Sequence, residues 1–148
     1  MDRTRLIIPA VGGLYEAGSG LCYPWIRFFS GLFLVPHGAR KLFGGTIDWT
    51  AGLFSQIGLE PALPLAYLVG ATEFFGGLLI AIGLLTRPAA VAAAVLLLVA
   101  VFYVHFGNGF FWNEGGYEYP LLWAILMIGI FFRGGGELSI DRAIGKEF

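Results

Sequence analysis

The sequence predicts an all-α integral membrane protein: an antiparallel four-helix bundle with both termini in the cytoplasm. Three observations carry that expectation. The 148 residues are 57% hydrophobic and 13% charged, with a mean hydropathy of +0.78, a balance that suits lipid better than water. Apolar runs long enough for helices recur along the chain, separated by short polar or aromatic connections. The first run, RFFSGLFLVPHGARK at residues 27–41, nevertheless carries a polar stripe. At 100° per residue Arg27, Ser30, Leu34, His37 and Lys41 fall within an arc of roughly 80°. An ionisable group at the bilayer centre costs about 2.5–3.5 kcal/mol or more, so the stripe must face protein or water. It therefore predicts neighbouring helices.

Residues 1–21 read as a short N-terminal segment on the membrane surface, with Arg3 and Arg5 near its start. The apolar run after Arg5 is broken by Pro9, Gly12 and Gly13, so no cleavable signal peptide is expected. The first spanning helix is placed at about residues 23–43, opening near Pro24, a residue tolerated in a first turn. Pro36 lies inside it and predicts a kink that frees the carbonyl of Leu32. In the following loop, residues 44–61, Asp48 is expected to cap a short amphipathic helix lying at the interface, with Leu53, Phe54 and Ile57 on one face.

Pro61 and Pro64 introduce the second span, about residues 62–85. Its small residues Ala66, Gly70, Gly77 and Ala81 recur at helical spacing, and Glu73 stands three residues after Gly70 and four before Gly77. That spacing puts Glu73 on the close-packed face, away from lipid. Thr86, Arg87 and Pro88 read as a tight turn before a third helix at about residues 88–106, which is featureless until Tyr103 and His105. The connection GNGFFWNEGGYEYP is rich in rings, and Phe110, Phe111, Trp112, Tyr117 and Tyr119 suit the headgroup zone. The fourth apolar run, residues 120–132, is about 20 Å long as a helix, short for a span. Starting at Glu118 extends the helix to about residues 118–133; otherwise the bilayer thins there. Arg133 and the glycines at 134–136 end it, and the polar tail ELSIDRAIGKEF is expected to form one short surface helix. The whole reads as one domain, residues 1–148, without an evident repeat.

Lysine and arginine placement sets the orientation. With the N-terminus inside, the inner side holds Arg3, Arg5, Arg27, Arg87, Arg133, Arg142 and Lys146, and the outer side only Arg40 and Lys41. The cytoplasmic (inner) membrane, crossed several times, is the expected location. A net charge of −1 gives no reason to expect nucleic acid. The single cysteine, Cys22, cannot form an internal disulfide, a CxxC pair or a thiolate metal cage. No metal site is expected, and a redox role would need a bound cofactor or a partner protein.

This topology brings the unusual residues to similar depth. A pocket in the outer half of the bundle would hold His37, Lys41, Glu73, His105 and Glu118, with Trp112 and its aromatic neighbours as walls. Three chemistries could use it. A quinone needs an apolar slot, hydrogen-bond donors at its carbonyls and a proton path, which His37, Lys41 and Glu73 would supply. A b-type haem could be held by His37 and His105, although two histidines on different helices are only the minimum requirement. Intramembrane charges also mark small-solute or ion pathways. Structural readings stand beside these. Glu73 could simply lock the bundle through a cation of the first helix. Arg40, off the stripe, could snorkel to headgroups. Arg27 could contact phosphate or cap the bundle floor. His105 could bond a backbone carbonyl, Glu118 could sit at a helix N-terminus as a dipole-favoured carboxylate, and Trp112 could be an interface anchor.

The pattern R-x3-G-x5-HG-x2-KLFG at residues 27–44 resembles the first helix of the DoxX family. So do E-x2-GG-x2-I-x2-G-x2-TR-x-AA at residues 73–90, GFFW-x4-YEYPLL at residues 109–122 and GGGELSID at residues 134–141. The resemblance covers about residues 24–142. It implies a small four-helix membrane protein, akin to the membrane subunit of thiosulfate:quinone oxidoreductase or to relatives associated with oxidative or thiol stress. The positions matching the family's polar pattern are Arg27, His37, Lys41, Glu73, Arg87 and Glu118. On this resemblance quinone-linked redox stands above haem b. The expected function is the membrane subunit of a quinone-linked oxidoreductase, needing a soluble or membrane redox partner protein and compatible with a homo-oligomer. The alternatives are a non-enzymatic anchor or assembly factor and a small-solute carrier.

Overall fold

A computed structural model describes residues 6–147; Arg3 and Arg5 lie outside them. Among the described residues the structure is all-helical: α1 (Gly12–Leu32), α2 (Leu34–Leu42), α3 (Ile47–Gln56), α4 (Ala62–Ala71), α5 (Gly77–Ile82), α6 (Thr86–Val99), α7 (Glu118–Arg133) and α8 (Ile140–Ala143). A π-helical stretch, Thr72–Gly76, joins α4 to α5, and another, Ala100–His105, extends α6. Two of the resulting rods, Ala62–Ile82 and Thr86–Asn108, are long and apolar enough to cross a membrane.

The first helix begins eleven residues earlier than the sequence suggests, at Gly12, so Pro24 stands inside α1 and not in its first turn. The glycines at 12, 13, 18 and 20 lower helix propensity here. Elongation from a helix already packed at Arg27 and Gly31 still gains one hydrogen bond per residue fixed. The carbonyl that Pro24 leaves unbonded, that of Gly20, is on an exposed stretch. Pro36 acts as expected: it has no N–H for the Leu32 carbonyl, and the helix breaks at Phe33 and restarts as α2. The second rod ends at Ile82, because Gly83 adopts the left-handed conformation at φ 72°. Thr86 opens α6, so Pro88 sits in the first turn of a helix and not in the connection before it. The start and end of α7 fall where the sequence puts them, and its 16 residues span about 24 Å.

Asp48 does not cap α3. The cap position is Thr46, and Asp48 stands in the first turn, where its charge favours the helix dipole. The apolar face expected of α3 is used against α4, where Phe54, with Ile57 beside it, packs on Ala62 and Ala66.

The main core joins α6 to α7 and to the α1–α5 side through Ile80, Ala90, Ala93, Leu97, Ala124, Met127 and Ile130. Small residues set the spacing on the other side. A Cβ at Gly31 would sit 2.5 Å from the Gly77 carbonyl oxygen, and a Cβ at Gly77 would sit 2.7 Å from the Gly31 oxygen. Gly38 lies as close against the Phe74 backbone N–H, with a Cβ there 2.5 Å from the Gly70 oxygen. Backbone therefore meets backbone along this seam, as small residues allow in membrane helices.

One end of the molecule is tied by a buried polar floor. Arg27 is 3% exposed. It donates to the carbonyls of Ile80 (2.5 Å), Ala81 (2.7 Å) and Leu138 (2.6 Å), the first two at the C-terminal end of α5, where a cation is favoured. The Tyr23 hydroxyl donates to the Gly134 carbonyl. The tail helix α8 forms as expected but is not merely superficial: its Asp141 is 3% exposed. That carboxylate accepts from the Leu85 N–H (2.8 Å), the Thr86 N–H (3.0 Å) and the Thr86 hydroxyl (2.7 Å). It so caps α6 from a distant part of the chain and holds Leu85 in its left-handed conformation at φ 48°, which costs a non-glycine residue about 1–2 kcal/mol.

Two outcomes follow for stability in detergent. Gly31→Val should lower Tm through overpacking worth about 1–3 kcal/mol. Gly129→Ala, on a helix face with nothing within 4 Å of the new Cβ, should leave Tm unchanged or raise it slightly. Thermal unfolding followed by circular dichroism separates the two. The second outcome concerns acid. Burial alone would raise the Asp141 carboxyl, but the hydrogen bonds from Thr86 and Leu85, with the charge of Arg27, outweigh it and hold the group below its ordinary 3.8. A depressed carboxylate adds stability above its unfolded value and loses it as pH falls through the folded one. Asp141→Asn should therefore be less stable than wild type at neutral pH, and the gap between their Tm values should close as pH drops below 3.8.

Candidate functional site

The glycine seam delivers α2 to the π-helical stretch. With no side chain at Gly38 or Gly70, the α2 backbone approaches α4 closely enough for Leu42 and the Cβ of Lys41 to rest on Gly70. Lys41, in the last turn of α2, then reaches Glu73 in the π-helical stretch, with Nζ 2.6 Å from Oε2 and 2.9 Å from Oε1. Glu73 is 8% exposed, and Lys41 is half-buried beside it. π-helical turns are rare and concentrate at functional sites; this one sits in the middle of an apolar rod and carries its only charged side chain.

His37 lies one turn before Lys41 on α2. Its ring is exposed on one side and meets Trp123 edge-on, with 6.2 Å between centroids. Trp123 in turn donates its indole N–H to the Ser30 carbonyl at 3.0 Å, tying α7 to α1. Phe43 and Phe74 stand edge-to-face at 5.3 Å on the other flank of the pair. Lys41, Glu73 and His37 are thus one group, bounded by aromatic rings.

His105, Glu118 and Trp112 form a second group. His105 ends the other π-helical stretch, and its Nδ1 lies 2.7 Å from the Gly115 carbonyl, to which the ring N–H donates. Asn108 donates to the same oxygen at 3.2 Å. Glu118 opens α7, and its carboxylate accepts the Trp112 N–H at 3.2 Å. Trp112 stacks obliquely on Tyr119, 5.4 Å away, and is exposed. These contacts fold the aromatic connection back on itself: the Tyr117 and Glu118 N–H groups donate to the Gly109 and Phe110 carbonyls at 3.0 and 2.9 Å. The hydrogen bonds of His105 and Glu118 go to this loop and not to Lys41 or Glu73. Arg40 is exposed and off the seam, while Arg87 donates to the Phe131 carbonyl at 3.2 Å and pairs with Glu147 at 2.9 Å.

Sequence reasoning did not single out Trp123 or Asp141. For Trp123 a signal existed, since a tryptophan inside an apolar helix needs an acceptor for its indole N–H. For Asp141, in a polar tail, none did.

A family model described as DoxX matches residues 24–106. Among curated proteins, the chain is 31% identical to a Haemophilus influenzae protein over 83% of this chain and 90% of the relative. It is 27% identical to a second protein of the same organism over 88% of each. Both carry the name "Uncharacterized protein". It is also 31% identical to a Bacillus subtilis protein named "Putative oxidoreductase CatD", over 82% of this chain and 85% of the relative. No solved structure matches the chain.

Removing one member of a buried ion pair leaves an uncompensated charge, at a cost of about 3–5 kcal/mol, whereas replacing both by apolar residues of similar volume is near neutral. Lys41→Met should therefore lower Tm markedly in detergent. The double variant Lys41→Met with Glu73→Leu should recover most of the loss in the same thermal-unfolding assay.

Proposed function

The chain belongs to the DoxX family of membrane proteins, and from that premise we propose that it is the membrane subunit of a quinone-linked redox complex. It would cross the inner membrane four times with both termini in the cytoplasm. It would serve sulfur or thiol oxidation, or the response to oxidative stress. The observation that carries this reading is the group of Lys41, Glu73 and His37, a buried ion pair set in a π-helical turn of an apolar rod. The name of the Bacillus subtilis relative supports the redox class.

The residues fit a quinone. An ammonium has three N–H donors, and the contacts to Glu73 leave Lys41 with capacity toward a carbonyl oxygen. His37 offers a second donor within one helical turn. Phe43, Phe74 and Trp123 supply apolar ring faces. A quinone would accept two electrons and two protons. Glu73 would hold a proton at its carboxyl oxygens and exchange it through Lys41, the more exposed member of the pair. Electrons would come from a partner protein acting on the sulfur or thiol substrate. His105, Glu118 and Trp112 would shape the aromatic mouth above this group.

A second reading, an anchor or assembly factor, is favoured by one observation: Lys41 and Glu73 satisfy each other, as a structural lock would. Bound molecules and activity decide between the two. Protein purified in mild detergent should release quinone near one per chain, detected by mass spectrometry, and Glu73→Gln should lose it. In the complex reconstituted with its partner, Glu73→Gln should slow quinone reduction on the order of 10²-fold, the usual share of a positioned acid or base. Full activity in both Glu73→Gln and His37→Ala sinks the proposal. Haem in the extract would move the assignment to His37 and His105, and lipid alone would move it to the anchor.

A further inference from the structure

At the end of the molecule opposite the aromatic connection, the residues after α7 enclose a polar hollow of about 450 Å³. Its charged lining is Arg133, Glu137, Asp141, Arg142, Lys146 and Glu147. Two of the acids already have partners. Asp141 accepts from Leu85 and Thr86, and Glu147 pairs with Arg87. The cations are differently placed. Arg133 lies over the Tyr23 ring at 5.6 Å, a contact that leaves its N–H donors available. The side chains of Arg142 and Lys146 are exposed and donate to no acceptor among the described residues. Three cations therefore face the hollow against one uncommitted acid, Glu137.

The same segment also lines an apolar hollow. Leu138, the residue after Glu137, lines a space of about 440 Å³ whose walls include Leu21, Trp25, Phe28 and Ile82. A cationic hollow beside an apolar one matches a molecule with an anionic head and a hydrocarbon tail. Guanidinium groups bind phosphate oxygens in pairs, and basic clusters at the ends of membrane helices attract anionic headgroups.

We propose that this end of the molecule is a binding site for an anionic phospholipid, its phosphate held by Arg133, Arg142 and Lys146 and an acyl chain lying in the hollow beside Leu138. A free phosphate ion shares the headgroup chemistry but would make no use of the apolar space. The site is separate from Lys41 and Glu73, so it does not rest on the redox reading.

The test uses the full chain in mild detergent, stripped of lipid, with thermal unfolding as readout. Phosphatidylglycerol should raise Tm by several degrees, saturably, and phosphatidylcholine should not. The variant Arg133→Gln, Arg142→Gln, Lys146→Gln should lose that difference, whereas Arg40→Gln, at an exposed cation elsewhere, should keep it. Should the triple variant fold poorly, Arg142→Gln with Lys146→Gln, both exposed, should still weaken the response. Equal shifts with the two lipids, or a phosphatidylglycerol shift that survives the variants, would overturn the site. A full shift with millimolar inorganic phosphate alone would overturn the lipid assignment and leave a free anion as the ligand.

Discussion

The backbone of α1 and α2 runs directly against that of α4 and α5, with glycine at the crossing points on both sides. Gly31 faces Gly77, and Gly38 faces Gly70 and the Phe74 backbone. The rest of the arrangement depends on that absence of side chains. Near one end of the seam, the approach lets Arg27 reach the carbonyls that close α5. Near the other, it brings a lysine of α2 within 2.6 Å of a carboxylate in the neighbouring rod. A methyl group at Gly38 or Gly31 would push the two backbones apart by more than these contacts can follow.

The charged groups that enter the apolar interior are held by different means. Arg27 has no carboxylate in direct contact; three backbone carbonyls accept from its two terminal nitrogens, two of them at a helix C-terminus, while its buried Nε–H has no acceptor among the described residues. Asp141 has no lysine or arginine in direct contact; two N–H groups and a hydroxyl satisfy it. Lys41 and Glu73 form a side-chain ion pair between two helical rods. Arg27 and Asp141 close the chain's end against α5 and α6 through fixed backbone partners, geometry suited to holding a fold. A lysine and a glutamate can both change protonation and swing, geometry suited to chemistry as well as to holding.

Much of this was legible in the residues. Gly70 and Gly77 at helical spacing around Glu73 place it on the close-packed face, and there it is buried. Pro36 marks the break between α1 and α2, and Glu118 and Arg133 mark the limits of α7. The polar stripe identifies Arg27, Ser30, Leu34, His37 and Lys41 as inward; the first three are buried and Lys41 is half-buried, but His37 is exposed, because the helix breaks at Phe33 before reaching it. What was not legible has physical causes. Residue number sets depth and relative azimuth within one helix, but not which neighbour each face meets, so residues at similar depth on different helices could not be sorted into the His37, Lys41 and Glu73 group and the His105, Glu118 and Trp112 group. A π-helical turn inserts one residue per turn without a composition of its own. The glycine-rich start of α1 hides a helix that propagates from its packed half. Asp141 is buried because a distant turn needs its oxygens, a need that its own neighbours do not reveal.

Whether the buried pair is a lock or a working site turns on what a lock would require. Stability alone is a weak reason to keep a buried ion pair, because well-packed apolar side chains often serve as well or better. A lock also requires neither a π-helical turn around the carboxylate nor an exposed imidazole one turn from the lysine. Both features are present, the π-helical turn around Glu73 and the exposed His37 one turn before Lys41. The lysine is more exposed than the carboxylate it holds, 19% against 10%. In the proposed quinone site, that asymmetry would let a proton or a ligand reach Lys41 first while Glu73 stays inside the seam, an order of access that a purely structural pair has no use for.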